Sequence, residues 1–281
     1  MSSLQNKIDF AVIITVQRAN PNGDPLNGNR PRTDYDGFGE ISDVCLKRKL
    51  RDRLQETDNA IFVQSDDRKI DGMKSLRDRA ESCLSKEERA NRDTFAKAAC
   101  VKWFDVRAFG QLFAFAGKNK SKGDDGDGDG VSIPIRGPVT LQAAVSVVPV
   151  SVSSMQITKS VSGEGDGTKR GADTMGMKHR VDKGVYVAFG SMNPQLAERT
   201  GFSDSDAEII KGILPKLFEN DASSARPEGS MAVAKVFWWK HNCKAGQHSS
   251  FKVHHSLTVN ADGSYALANL PGLAPEEIDG F

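Results

Sequence analysis

The chain is poor in most features that would assign a function at once. It has 281 residues and a formal net charge of only +1, so it is not a bulk polycation. Any anion-binding surface has to come from local clustering. No apolar run approaches the length of a membrane span, and MSSLQNKIDF lacks a basic segment followed by an apolar one, so no secretory signal or membrane partner is expected. The four cysteines, at 45, 83, 100 and 243, have no paired spacing. That pattern fits reduced thiols in a cytoplasmic protein. There is no G-x-S-x-G, phosphate-loop, kinase or dinucleotide motif and no internal repeat, so no cofactor and no catalytic residue is assigned.

What the chain does have is centred on Gln17 to Leu54, QRANPNGDPLNGNRPRTDYDGFGEISDVCLKRKLRDRL. Before it, Ile8, Phe10, Val12, Ile14 and Val16 alternate with other residues, which predicts a strand. The loop is rich in Asn, Gly and Pro, so turn chemistry must set its shape. Leu46, Leu50 and Leu54 then give the buried stripe of a helix. Lys47 and Arg51 flank that stripe one turn apart, with Arg48, Lys49 and Arg53 beside them. A strand, a polar loop and a basic helix can cradle a phosphate backbone, or can simply be solvated.

Downstream, Glu56 to about Lys122 reads as charged and mostly helical, with Phe109, Leu112, Phe113 and Ala116 on one helical face. The segment KNKSKGDDGDGDG places Asp125, Asp127, Asp129 and Gly130 as at the start of an EF-hand loop, but Arg136 stands where the bidentate Glu belongs. A strand is expected from Val139 to about Val152, an irregular Gly-rich excursion from Ser153 to Lys183, and a third strand from Gly184 to Phe189. Ser205 and Glu208 suggest a capping box before a helix carrying Ile209, Ile210, Ile213, Leu214, Leu217 and Phe218, with Pro215 kinking or shortening it. Met231 to Lys240 is a fourth strand, Phe251–Val259 and Ser264–Leu267 a hairpin, and the C-terminus a plain tail.

With the insertions set aside, the order is β-α-β-β-α-β. The fold class expected is α+β, a modified ferredoxin-like arrangement of the kind used by RRM domains. A single domain over 1–281 with one core is the economical reading, with insertions at 57–130 and 153–183. Lys211 to His255 holds seven Lys or Arg against three Asp or Glu. The first strand does not show the RNP pattern of stacking aromatics, so RNA contact would run more through phosphates than through base stacking. His241, Cys243, His248, His254 and His255 raise zinc, but at no familiar finger spacing, so no metal site is assigned. Asp24, Asp34 and Asp36 could hold a metal that cleaves RNA, or could fix turns.

RANPNGDPLNGNRPRTDYDGFGEISDVCLKRKLR and the later FDVRAFG closely resemble the backbone subunit of type I CRISPR interference complexes, the Cas-seven family of the RAMP superfamily, with subtype I-C the nearest likeness. The resemblance implies an RRM-like palm, helical fingers at 57–130 and a β-hairpin thumb at 153–183. It implies a protein that polymerises as a helical filament along a CRISPR guide RNA and presents it to target DNA, beside other interference-complex subunits. Such a subunit is not itself the nuclease. By position, Lys47, Arg48 and Arg51 match phosphate-contacting cations, and Arg18, Asn20 and Asn22 the palm edge. Met155, Lys159, Lys169, Arg170, Met175 and Lys178 fall in the thumb. There, Met155, Met175 and Met177 either wedge against bases or fill a small hairpin core. Related type III subunits cut RNA with an Asp in the loop after the first strand, where Asp24 and Asp34 lie, so a metal-dependent RNA endonuclease is the alternative.

Overall fold

Strand β1 (Ile8–Ala19) lies inside the main sheet, and its alternation decides what each face buries. Phe10, Val12, Ile14 and Val16 enter one apolar cluster, while Ala11 and Ile13 enter another on the opposite face. The computed structural model describes residues 2–115, 131–160 and 175–281.

After β1 come the short strands β2 (Gly23–Asp24), β3 (Arg30–Pro31) and β4 (Phe38–Ile41), then helix α1 (Asp43–Glu56). Ser42 caps α1 by accepting from the Cys45 N–H, and Leu46, Leu50 and Leu54 are buried as the spacing requires. Helices α2 (Leu76–Cys83), α3 (Arg92–Lys102) and α4 (Phe104–Phe109) follow. Strands β5 (Gly110–Phe115) and β6 (Val131–Arg136) form a separate two-stranded sheet. Then come β7 (Val139–Leu141), β8 (Ala144–Pro149), β9 (Val152–Thr158) and β10 (Met175–Met192). The chain ends with α5 (Pro194–Thr200), α6 (Asp204–Ile213), β11 (Met231–Lys240), α7 (Ser250–His254), β12 (Leu257–Val259), β13 (Tyr265–Leu267) and β14 (Glu276–Asp279).

The large sheet runs β14-β11-β1-β10-β8-β4 with antiparallel neighbours. Helices α1 and α6 pack against the face that carries Phe10 and Val12. The other face is covered by α7, Leu257, Leu270 and Leu273. The result is an α+β protein built on a large antiparallel sheet.

Several expectations are corrected. The helix expected through DVRAFGQLFAFA stops at Phe109. Gly110 has φ +78°, and a Cβ there would sit 2.3 Å from the Ile135 carbonyl oxygen. The chain turns into β5, where Phe113 is buried and Leu112 exposed; Ala116 lies outside the described residues. One core is expected, yet the 57–115 insertion carries a cluster of its own. Phe62, Leu84, Phe95, Trp103, Val106 and Phe113 build a second cluster with Ile133. The capping box is Ser203 with Asp206, two residues earlier than expected, and α6 gives way to a single helical turn at Pro215. The strand expected over 139–152 is broken into β7, β8 and the start of β9. The excursion is not irregular where it is described: β9 pairs with the first half of β10 from Val152↔Val181 to Thr158↔Met175. Residues 251–254 are helical because Ser249 caps α7. The tail is β14, which covers the open edge of β11.

Candidate nucleic-acid interface

The alternation of β1 fails at one residue. Even-numbered Phe10 to Val16 face the helices, yet odd-numbered Ala19 does too. Between them Arg18 takes φ +52°, a left-handed conformation that costs a non-glycine residue about 1–2 kcal/mol. Gln17 pairs with Lys183 and Ala19 with Val181, so Arg18 sits at the level of Asp182. Its side chain is exposed, and no carboxylate pairs with it among the described residues. Here β10 leaves the sheet to form the ribbon with β9.

The loop beyond is shaped by its own polar groups. Asn20 is only 3% exposed, its amide donates to the Asn29 carbonyl at 2.7 Å, and its backbone N–H donates to Ala225. The Asn22 Oδ1 accepts from both the backbone N–H and the hydroxyl of Ser42, at 2.9 and 2.8 Å, tying the loop to the start of α1. The side chains of these two asparagines, matched by position to the palm edge, bond within the loop and to the start of α1. Asp24 accepts from the Leu26 N–H, and Asp34 accepts from the Asp36 and Phe38 N–H groups at 3.0 and 2.8 Å. Both aspartates therefore fix turns.

The cations of α1 are not free. Lys47 pairs with Asp43 at 2.9 Å, Arg48 with Asp52 at 2.8 Å, Arg51 with Asp105 at 2.9 Å, and Arg53 with Glu56 at 2.6 Å. Lys49 pairs with Asp221. Asp105 is fully buried and also accepts from the Phe62 and Val63 N–H groups. Arg48 donates to the Val63 carbonyl, and burial lowers its pKa against the pull of Asp52. Lys47 and Arg51 thus each have a carboxylate partner of their own. Arg51 is 12% exposed and anchors the insertion to α1; Lys47 remains half-exposed at the helix start.

The ribbon is different. Cross-strand partners share a face, so Met175, Met177 and His179 line one side with Ser154 and Gln156. Met155, Ile157, Lys178 and Arg180 line the other. Met155, Met175 and Met177 are 39%, 64% and 57% exposed, so they fill no hairpin core, and Met155 lies opposite the other two. Lys159 and Lys178 have no carboxylate partner among the described residues, while the charge of Lys183 acts on Asp262. Lys169, Arg170 and the acidic segment Asp125–Gly130 lie outside the described residues.

The histidines separate. His241 and His254 are buried around Asp9, with His241 Nε2 2.8 Å and His254 Nε2 3.6 Å from its carboxylate. The Gln247 N–H donates to His241 Nδ1, so Nε2 carries the proton and donates to Asp9. Cys243 is not part of this group, His248 bonds to the Pro271 carbonyl, and His255 stacks on Phe251. Among the described residues no three His, Cys, Asp or Glu side chains gather so as to hold a metal ion. No helix among them is long and apolar enough to cross a membrane.

A model of the CRISPR-associated protein Cas7 family matches residues 6–270. The chain belongs to that family. CRISPR-associated protein Cas7 of Haloferax volcanii is 29% identical over 225 residues, which are 78% of this chain and 66% of that protein. The match thus spans just under two thirds of the relative's length. Among solved structures, the chain is similar to a chain of a pre-nicking CRISPR RNA-guided surveillance complex, with a TM-score of 0.49 and 16% identity, over 83% of this chain and 75% of that one. It is also similar to a chain of a second CRISPR RNA-guided surveillance complex, with a TM-score of 0.41 and 15% identity, over 83% and 68%.

In this Cas7-family chain the motifs that carry the sequence resemblance meet each other. Arg51 of LKRKLR binds Asp105 of FDVRAFG. Arg107 of the same motif makes a two-point contact with Asp206, at 3.1 and 2.8 Å, and its guanidinium lies 4.6 Å from the Phe104 ring centre. Asp206 in turn closes the capping box of α6. Sequence reading assigned no partner to Asp105, Arg107 or Asp206. Their only signal was opposite charge at positions far apart in the chain.

Proposed function

We propose that this protein is the RNA-binding backbone subunit of a type I CRISPR interference complex, of subtype I-C by the resemblance of its opening loop. Copies polymerise along the guide RNA, hold it for pairing with target DNA, and contact the complex's other subunits in the cytoplasm. The main sheet acts as the RRM-like palm, the 57–130 insertion as fingers, and the β9–β10 ribbon as the thumb. Membership of the Cas7 family over residues 6–270 supports this reading.

The observation that carries it is where unpaired cations lie. The cations of α1 are matched by carboxylates, while among the described residues Arg18 and the ribbon's Lys159 and Lys178 are not. The RNA track therefore runs from the β1 kink onto the ribbon, with Lys47 at its margin and Arg48 and Arg51 behind it. Purified protein should carry discrete guide-length RNA, and its affinity should fall steeply with salt, because each neutralised phosphate releases counterion. Salt-insensitive binding, or strong discrimination between scrambled RNAs, would sink the reading.

A metal-dependent RNA endonuclease of the same fold is the second reading. Its motive is the position of Asp24 and Asp34 after β1; against it stands the turn-fixing role of both carboxylates.

A further inference from the structure

The covering of the sheet's second face is incomplete. A groove of about 730 Å³ remains where β8 and β10 emerge beside α7 and β12. That volume lies in the usual range for ligand sites. Val145, Val187 and Phe189 come from the strands, and Phe251, His254 and His255 from α7 and the residue after it. The rings are arranged in two stacks. Phe251 lies on His255 with centroids 3.9 Å apart, and Phe189 on His254 at 4.9 Å. Phe251 is 71% exposed, a costly position for an aromatic ring with nothing over it.

We infer that this groove binds an unpaired nucleobase, a nucleic-acid contact separate from the phosphate track. The inference rests on the proposed RNA-binding role for the class of ligand, but not for the place. Among the described residues no Asp, Glu, Lys or Arg lines the groove, which favours an uncharged group there. Flat rings set in stacks favour a flat ring, and every base has a face to offer them. Gln142 and Thr258 are exposed at its wall, with side-chain donors and acceptors for a base edge; an aliphatic side chain would leave them unmatched. Lys252 follows Phe251 directly, is exposed, and has no carboxylate partner among the described residues, so a phosphate beside the bound base would meet a cation. The histidines add to the fit. His254 has a pKa lowered by burial, partly opposed by Asp9, which keeps its ring neutral beside an uncharged base.

The test uses the whole protein and a short oligouridylate carrying thiouridine, as RNA and as DNA. Irradiation should crosslink it within residues 251–259, read by mass spectrometry. Phe251→Ala should weaken binding of the short probe by about ten-fold or more, with an unchanged melting curve because the ring is exposed. Phe251→Trp should restore it. Arg18→Gly should weaken long RNA while leaving the groove crosslink in place, which separates failure of this site from failure of the phosphate track. Crosslinks confined to the ribbon would overturn the inference, as would equal probe affinity in Phe251→Ala. Loss of self-association in nucleic-acid-free Phe251→Ala would overturn it in favour of a protein-docking face. Equal binding of RNA and DNA probes would support a base contact blind to the sugar; RNA alone would support one that also reads the 2′-hydroxyl.

Discussion

The Nε of Arg51 donates to Oδ2 of Asp105 at 2.9 Å, joining the first helix to the insertion that follows it. Asp105 has no exposed surface, and its remaining acceptors are filled by the Phe62 and Val63 N–H groups. Removing Arg51 leaves a buried carboxylate without its cation, which costs about 3–5 kcal/mol. Arg51→Ala should therefore lower the melting temperature strongly, as should Arg51→Glu. Lys47→Ala, whose pair with Asp43 is half-exposed, should cost under about 1 kcal/mol. Thermal unfolding of the two single variants checks this: equal small shifts would mean that Arg51 is an ordinary surface cation.

Arg18 offers a way to separate strain from binding. Glycine adopts φ +52° freely, so Arg18→Gly should keep or slightly raise stability, by up to about 1 kcal/mol. It should also weaken RNA binding and reduce the salt slope by about one unit, as expected for one lost phosphate contact. Measuring affinity over a salt series decides. An unchanged slope would place the RNA track away from the β1 kink.

These two residues show what could be read in the sequence. Strand β1, the α1 stripe and β11 were legible because apolar periodicity is local, and Phe237, Trp238 and Trp239 face the two sides as their alternation requires. The partners of the α1 cations were not legible. A Lys or Arg beside a buried stripe looks the same whether its carboxylate is four residues away, as for Lys47, or 54 away, as for Arg51. The ribbon was expected from the resemblance and not from periodicity. Its strands have no core to face, and their apolar alternation is limited to Met155 with Ile157 and Met175 with Met177. Strand β14 was missed because Glu-Glu-Ile-Asp shows no apolar period; its backbone pairs with β11 and its carboxylates pair with Lys211 and Lys235, partners far away in the chain.

Acid should loosen the second face of the sheet in two stages. Burial lowers the pKa of His254 below 6.5, so the unfolded chain binds the proton more readily, and stability falls as pH drops below about 6.5. Burial raises the pKa of Asp9, but hydrogen bonds from His241 and Ser250 and the charges of Lys7 and His254 outweigh it, and the net shift is downward from 3.8. The stability due to Asp9 is thus present above 3.8 and lost as pH falls through its lower folded value. Denaturant unfolding from pH 8 to 3 should show both slopes. His254→Phe should flatten the first and leave most of the second, which His241, Ser250 and Lys7 still support; if the first persists, another group carries it.

The last expectation concerns chemistry. Asp24 and Asp34 follow β1, where a catalytic aspartate would lie in an RNA-cutting relative, so their surroundings matter more than their presence. The Asp24 Oδ1 accepts from Leu26 N–H at 3.2 Å and lies 3.8 Å from Arg32; Asp34 Oδ1 accepts two backbone N–H groups. A carboxylate oxygen committed to turn N–H groups is partly neutralised and held by the loop, which makes it a poor ligand for a magnesium ion that demands near-ideal octahedral geometry. Replacing Asp34 by Ala should free the Asp36 and Phe38 N–H groups and loosen the Tyr35 turn, costing about 1–2 kcal/mol. Both this variant and the unchanged protein should leave RNA intact in magnesium or manganese. RNA cleavage by the unchanged protein that disappears in Asp24→Ala or Asp34→Ala would instead promote the endonuclease reading. The stability measurement keeps the two apart, because a turn residue moves the melting curve whether or not any RNA is cut.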